Sequence, residues 1–546
     1  MSIEIEKLKK HAKELINIGE RRAGTPQIRS AAKYVAEELQ SYGYETQIWD
    51  FPILTSTIIG APTLYVNGEK IACKGVYFSG NAKNLEGEIL YDNKIVTEKL
   101  EGKIILTDVS YSPPRPEKAQ MAREKGALAI IYIHFGSSDS NIIGTGGIKY
   151  VWGNPNSESI KKIPRMPAVS ISRHDGERLI EKILHEERLI GNINIKTNDS
   201  WVKANQPIAF KGNKESKCIV FGTPLEALGA TAINNSASNA ALLEIARNVI
   251  PNKYSIMVLF TDGVEIAESA GSTFLVDNCW PYLKEKARLY INVEGLGTEG
   301  AKRAVSYVSP SIREFVKAIE IKNGIYSEMH YEIRIADSSF TGIGIPYYCF
   351  THVMNKSMMQ KYHGANHGWW YRSEADTIEH VDFNLLLSES TAILKVYNEI
   401  TKYKNIPYSI VPYLKESLES IKKIPLFKDK IINDKFITLK EKLDNTLRDT
   451  EKLEINLNKD NQEILEELML NIIHETSNVF MTVAGKYDQD PYGFIWKDEI
   501  LPGLMFWLEK YKKNPLLDMT AFMREINRTY DAIDKIAKMA HYGEIK

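Results

Sequence analysis

Between residues 206 and 402 the chain alternates apolar runs with helical patterns, and this rhythm constrains the fold more than any other feature. CIVFGTP, YSIMVLFTDG, RLYINVEGLG and IGIPYYCF read as strands, while SNAALLEIARNV and STFLVDN read as helices. Runs that are apolar at nearly every position belong to strands covered on both faces, so the pattern predicts a mainly parallel sheet packed between helices. Ligands of such sheets sit beyond the C-terminal ends of the strands. The loops of interest are therefore those after Phe221, Phe260, Val293 and Phe350.

The flanking segments differ in character. Residues 1–50 read as two helices and the start of a strand, with Ala32, Val35, Ala36 and Leu39 on one helical face and Gly43 as a stop. TQIWDFPIL then reads as a strand. Residues 51–205 carry short β-type runs (TLYV, GEILY, GKIILTDV, LAIIYIHF, PAVSIS) between Gly, Pro and Asn turns, with one helix from about Glu117 to Lys125. They read as a β-rich insert. Residues 403–546 are almost wholly helical in pattern, and the apolar faces around Leu465 to Val483 suit pairing of two copies.

Composition removes several functions. The chain has 546 residues with 69 Lys+Arg against 70 Asp+Glu, a net charge of −1, which argues against a globally basic nucleic-acid binder. No run approaches the about 18 apolar residues of a membrane span. The N-terminus MSIEIEKLKKHAKEL lacks the apolar core of a secretory signal. Cys73, Cys218, Cys279 and Cys349 are sparse and widely spaced, which fits a reducing compartment, the cytoplasm by default.

Four stretches together carry a resemblance. They are Glu20-Arg21-Arg22-Ala23-Gly24-Thr25-Pro26 before an Ala-Ala helix, the segment Leu100 to Leu179 with Met166-Pro167-Ala168-Val169-Ser170-Ile171, Asn234-Asn235-Ser236-Ala237-Ser238-Asn239 leading into a helix, and Tyr371-Arg372-Ser373-Glu374-Ala375-Asp376-Thr377. In this order the chain resembles the co-catalytic zinc exopeptidases, the family of aminopeptidases, glutamate carboxypeptidase II and the transferrin receptor. The resemblance implies an α/β exopeptidase-like domain with a protease-associated insert and a C-terminal helical dimerisation domain. It also implies a pair of zinc ions that activate water and polarise a carbonyl.

The ligand positions implied by the resemblance are largely altered. The first His falls on Pro224 in Gly222-Thr223-Pro224-Leu225-Glu226, and the bridging Asp falls on Asn234, next to a matching Asn235. The Glu-Glu pair falls within Asp262-Gly263-Val264-Glu265-Ile266 in either of two registers, each of which keeps a single carboxylate, Glu265. The next Asp becomes Glu294 and the last His becomes Arg372, a permanent cation without a lone pair. The usual dizinc site is therefore expected to be lost and no cofactor to be needed, with Arg372 supplying positive charge to Glu265 or Glu294.

Three functions remain open. The first is a non-catalytic homologue that binds a peptide, a small amide or a protein partner, with Asn234, Asn235, Asp337 and Arg372 as candidate binding residues. The second is an altered hydrolase with Glu265 as base and a rebuilt zinc or other divalent site at Glu265, Glu294, His363 and His367, the two histidines being an H-x-x-x-H pair. The third is a structural dimer scaffold. Trp369, Trp370 and Tyr371 read either as a pocket wall or as packing between domains. His134, His174 and His380 read as surface or satisfied positions, and Gly295, Gly297 and Gly300 are not taken as a nucleotide loop.

Overall fold

Two N-terminal helices, Ile5–Ile18 and Pro26–Ser41, open the chain in the computed structural model, which describes residues 2–110, 113–331, 338–460, 462–488 and 500–545. Thr25 caps the second helix by accepting from the Ile28 amide, with Pro26 at its first position. Leu8, Leu15, Ile28, Val35 and Leu39 are fully buried and join the core around the Ala237–Asn248 helix.

The central sheet has eight strands in the order Glu45–Trp49, Gln206–Lys211, Ser255–Thr261, Cys218–Pro224, Ala287–Asn292, Tyr347–Val353, Arg303–Val308 and Glu328–His330. The four middle strands, from Ser255–Thr261 to Tyr347–Val353, run parallel. Every residue of Cys218–Pro224, Ser255–Thr261 and Ala287–Asn292 is buried, which is why these strands read as continuous apolar runs. The mixed, mainly parallel sheet under helices matches the expected α/β class. Gln206–Lys211 and Arg303–Val308 were not expected as strands. Both pair antiparallel at the flanks, where Pro207 and Arg303 break the apolar pattern.

TQIWDFPIL does not form one strand. Glu45–Trp49 belongs to the central sheet, while Pro52–Ile58 forms a two-stranded ribbon with Thr197–Lys203. Pro52 has no N–H to continue a ladder, and Phe51 turns inward to stack on Phe274, with centroids 3.9 Å apart. The chain leaves the central sheet at Trp49 and re-enters opposite it at Gln206. Between them lies a second eight-stranded sheet, whose core includes Ile104, Leu106, Ile131 and Val169. This insert carries two helices, not one: Arg115–Glu124, close to the expected position, and Arg173–Leu184, capped by Ser172.

Among the described residues five C-terminal helices follow: Val411–Lys422, Lys430–Asp460, Gln462–Phe480, Pro502–Lys513 and Pro515–Ile545. The apolar face between Leu465 and Val483 is used within the chain. Met469, Ile472, Ile473 and Phe480 are buried in the same core as the α/β sheet. Lys217 pairs with Glu466 at 2.7 Å, and Arg288 with Glu467 at 3.0 Å, across that junction. This face is covered within a single chain. Among the described residues no helix is long and apolar enough to cross a membrane.

Gly229 joins the first strand-end loop to the segment carrying Arg372. It has φ +74°, and an added Cβ would lie 2.2 Å from the Ser373 carbonyl oxygen. Gly229→Ala is expected to lower stability by on the order of 2–4 kcal/mol in thermal or denaturant unfolding. Gly60→Ala, at φ +71° with nothing within 4 Å, is expected to cost only about 1 kcal/mol. Equal losses would show that the close approach to Ser373 does not matter.

Candidate functional site

Every loop of the site leaves the C-terminal end of a parallel strand. Residues 225–236 follow Cys218–Pro224, residues 262–269 follow Ser255–Thr261, Glu294 follows Ala287–Asn292, and the 354–377 segment follows Tyr347–Val353. At their centre is the carboxylate of Glu265, a residue only 4% exposed. Its Oε1 accepts from Asn234 Nδ2 at 2.6 Å and from Asn235 Nδ2 at 3.0 Å. Its Oε2 lies 2.6 Å from Arg372 Nη2. The two amide bonds to Oε1 are charge-assisted and about twice as strong as neutral ones, while Arg372 is ion-paired with Oε2.

The partners of Glu265 are themselves fixed. Asn234 accepts from the Leu228 amide at 2.6 Å and donates to the Tyr371 hydroxyl at 3.1 Å. Asn235 also donates to the Glu226 carbonyl at 2.6 Å. The Asp376 carboxyl accepts from the Ile233 and Asn234 amides, both at 2.9 Å, and so holds the turn that carries the two asparagines. The Arg372 guanidinium lies 5.1 Å from the Tyr371 ring. Thr231, Glu268, Ser269 and Arg372 hold left-handed backbone, with φ between 49° and 69°. Each costs on the order of 1–2 kcal/mol, and such strain collects where a site over-determines its backbone.

Three buried acids brace these loops from below. Glu226 accepts from the amides of Ala23 at 3.2 Å and Glu265 at 2.7 Å. Burial, with the nearby charges of Asp262 and Glu265, pushes its carboxyl up to about 8. Burial also raises Asp262 and Asp376 to about 7, although each accepts two backbone amides. A carboxylate in low dielectric is neutralised more cheaply than it is buried charged.

The insert roofs the site. The cavity between it and the strand ends has a volume of about 140 Å³ and is lined by Arg115, His134 and Trp152 above, and by Glu265, Glu294 and His367 below, among others. The Gly144–Gly147 run lets these side chains approach: an added Cβ would lie 2.2 Å from His134 at Gly144 and 1.9 Å from Arg115 at Gly146. Lys149 staples roof to floor. It is fully buried and donates to the carbonyls of Gly153 and, at 2.6 Å, Ala267. Burial, partly offset by Glu268 and Glu226, brings its amine down to about 7.

Both cleft histidines are neutral at physiological pH. Burial, then the charge of Arg115, takes His134 to about 3; burial, then Arg372, takes His367 to about 4. His134 Nε2 donates to the Trp369 carbonyl at 3.1 Å. His367 Nδ1 is buried with no hydrogen-bond partner among the described residues.

The candidate residues divide as follows. Asn234, Asn235, Glu265 and Arg372 form one bonded cluster, and Glu294 shares the cleft with Glu265 and Arg372. Asp337 lies outside the described residues. His363 does not join His367: it sits at φ +54° after the Lys356–Lys361 helix, 3.5 Å from Glu177 of the insert. The H-x-x-x-H pair is thus split by a loop whose Gly364 and Gly368 both have positive φ. Trp369 packs between the insert and α/β cores, and Trp370 stacks on His380 at 3.8 Å, so the wall is formed by Tyr371 alone of the three. Of its two readings, surface or satisfied, His134 is the second: it is buried and bonded to the Trp369 carbonyl, and it also lines the cleft. Arg115 and Lys149 were not foreseen; the Gly144–Gly147 run was their only sequence signal, since clustered glycines mark close approach.

The donor set does not fit a pair of zinc ions. Pro224 offers no ligand, and Asn234 points its amide nitrogen at Glu265. Glu265 Oε1 is engaged by two amide donors, and Oε2 is ion-paired with a guanidinium. Ile266 is packed in the insert core, so the position beside Glu265 supplies no second carboxylate. Among the described residues no three His, Cys, Asp or Glu side chains converge as metal ligands do.

No protein-family model and no curated protein matches the chain. Solved structures do. BSAP, a zinc aminopeptidase from Bacillus subtilis, aligns at 20% identity with a TM-score of 0.55, over 74% of this chain and 98% of that one. The aminopeptidase from Aneurinibacillus sp. strain AM-1 aligns at 19% identity and TM-score 0.53, over 73% and 94%. The peptidase M28 precursor from Shewanella amazonensis aligns at 16% identity and TM-score 0.55, over 74% and 99%. Likeness at these identities shows the fold: the chain has the zinc-exopeptidase-like fold that its motifs resemble.

Two measurements test the site. Arg372→Ala is expected to destabilise the protein by about 2–4 kcal/mol in denaturant unfolding, by stranding the Glu265 carboxylate, and Glu265→Gln in the same chain is expected to restore most of the loss. An unchanged midpoint for Arg372→Ala would deny the pairing. The second concerns pH. A carboxyl raised from 4.5 to about 8 holds its proton only in the folded chain across that window. Its contribution is full below about 4.5 and fades as pH rises to about 8. The stability advantage of wild type over Glu226→Gln should therefore shrink between pH 5 and pH 8, and a constant or growing advantage would contradict a neutral Glu226.

Proposed function

We propose that this protein is a metal-independent, non-hydrolytic binding protein on the zinc exopeptidase fold, with a cleft that takes the end of a peptide or a small amide. The observation that carries this reading is the Glu265 carboxylate, held by Arg372 and two asparagine amides where the relatives of this fold would need open metal ligands. Bound zinc lowers the pKa of water and polarises a carbonyl. A guanidinium supplies fixed donors and positive charge but no exchangeable coordination position.

The rest of the lining suits an amide. A neutral imidazole offers one donor and one acceptor, as an amide does; His134 spends its donor on the Trp369 carbonyl and keeps an acceptor, and His367 is the second imidazole of the cleft. The partnerless Nδ1 of His367 is a polar atom that a ligand would satisfy. The protease-associated-like insert acts as the roof, closing over the ligand through Arg115, His134 and Trp152.

Metal analysis after gentle purification, with thermal shift in added zinc and in a pooled peptide mixture, tests the proposal. The expected result is metal far below one equivalent per chain, no stabilisation by zinc, and stabilisation by peptides. Zinc or iron near one equivalent, or hydrolysis of aminoacyl p-nitroanilides that Glu265→Gln abolishes, would instead favour an altered metallo-hydrolase.

A further inference from the structure

Among the described residues the three most exposed large apolar side chains are Leu516 at 97%, Leu426 at 79% and Leu517 at 79%. All three belong to turns of the C-terminal helical region. Leu426 lies between the Val411–Lys422 and Lys430–Asp460 helices. Leu516 and Leu517 open the Pro515–Ile545 helix, which only Asn514 separates from Pro502–Lys513.

The two turns meet at one end of the helices. The Phe427 ring lies 6.1 Å from Tyr511 and 5.6 Å from Phe522, and so bridges them. Lys423, Pro425 and Lys512 line one surface cavity. Lys435 bonds Asn527 and, two turns on, Lys442 pairs with Asp534. The Lys430–Asp460 and Pro515–Ile545 helices therefore run parallel and begin together. Tyr511 and Phe522 are buried at this tip, while the leucines stay outside.

The rim of the tip is basic. From Lys422 to Ile431 and from Glu509 to Asp518 the chain places seven lysines against Asp429, Glu509 and Asp518, in a protein of net charge −1. All seven lysines are exposed, and Lys422 spends its charge on Glu419 at 2.9 Å. Protein interfaces are rich in aromatic residues and Arg and poor in Lys, and leucine is scarce among their hot spots. These two segments have the opposite make-up, with no arginine and no exposed aromatic ring. A second copy docked tip to tip would set lysines against lysines, which is repulsive. An anionic lipid surface suits both features: lysines meet headgroup phosphates, and protruding aliphatic chains enter the apolar boundary beneath.

We propose that this tip docks the protein reversibly on an anionic lipid surface, with Leu426, Leu516 and Leu517 inserted at the headgroup–acyl boundary and the lysines around them facing lipid phosphates. The inference is independent of what the cleft binds.

Co-flotation of the full chain with vesicles tests it, using phosphatidylcholine alone and phosphatidylcholine with about one third phosphatidylglycerol. Binding is expected to be at least about tenfold tighter to the anionic vesicles, and to fall at least about tenfold as salt is raised to about 0.5 M. Leu516→Ser with Leu517→Ser, and separately Lys512→Glu with Lys513→Glu, are each expected to weaken it at least about tenfold without moving the thermal midpoint, since all four positions are exposed. The same charge change on the insert, Lys70→Glu with Lys94→Glu, is expected to leave binding as it is. Absence of binding to anionic vesicles, equal binding to neutral ones, or an equal loss in the insert variant would overturn the proposal. So would leucine variants that bind like wild type, which would leave a purely electrostatic site for an acidic protein. A wild-type dimer in light scattering that the leucine substitutions dissolve would give the tip to a second copy instead.

Discussion

The contact on which the site depends is the one between Glu265 and Arg372. A carboxylate that is 4% exposed at the end of a parallel sheet needs counter-charge, because the desolvation of an isolated ion costs several kcal/mol even after relaxation. In zinc enzymes the metal provides it. Here the guanidinium of a residue in left-handed backbone provides it, with two amide nitrogens completing the shell. The loops from three strand ends are tied together through this one carboxylate. Asp376 then fixes the asparagine turn by accepting from its backbone, and Glu226 fixes the amide of Glu265 itself.

Much of the fold is legible in the residues. Strands buried on both faces announce themselves as apolar runs, and the Cys218–Pro224 strand coincides with CIVFGTP to the residue. What escaped was strands at the flanks of the sheet, where one side faces a different neighbour and the pattern thins. Arg303–Val308 and Gln206–Lys211 are of that kind, and the Pro502–Lys513 helix was lost among the other C-terminal helices. The helical face from Leu465 to Val483 was read without knowing what covers it. An amphipathic stripe says that something covers it, and here the cover is the chain's own α/β domain rather than a second copy.

The site was legible in part, for a related reason. Residues on strand-end loops can be placed from the sheet alone, so Asn234, Glu265, Glu294 and Arg372 could be named and do share a cleft. The roof could not, because His134, Arg115 and Lys149 belong to the inserted segment, and nothing local says that it folds back over the strand ends. The two registers of the Glu265 segment were likewise equivalent on paper. Packing places Ile266 in the insert core and both Val264 and Glu265 on the cleft, where Glu265 is the carboxylate of either register.

The charges around the cleft follow a consistent physical logic. A dication would favour ionised carboxylates over a wide radius. With a single guanidinium in its place, the deeper acids Glu226, Asp262 and Asp376 are pushed toward neutrality by burial, while the nearest, Glu265, keeps the cation. His134 and His367 are driven neutral by burial and by neighbouring arginines. The two histidines thereby present hydrogen-bonding groups of fixed polarity beside the arginines and glutamates that line the cleft. Fixed groups of this kind accord with the amide-binding function proposed above. Polar groups held in advance by strained loops spend little entropy when a ligand arrives. Lys149, on the Gly153 and Ala267 carbonyls, fixes the insert against the strand ends, so the roof and the floor of the cleft are held at one spacing.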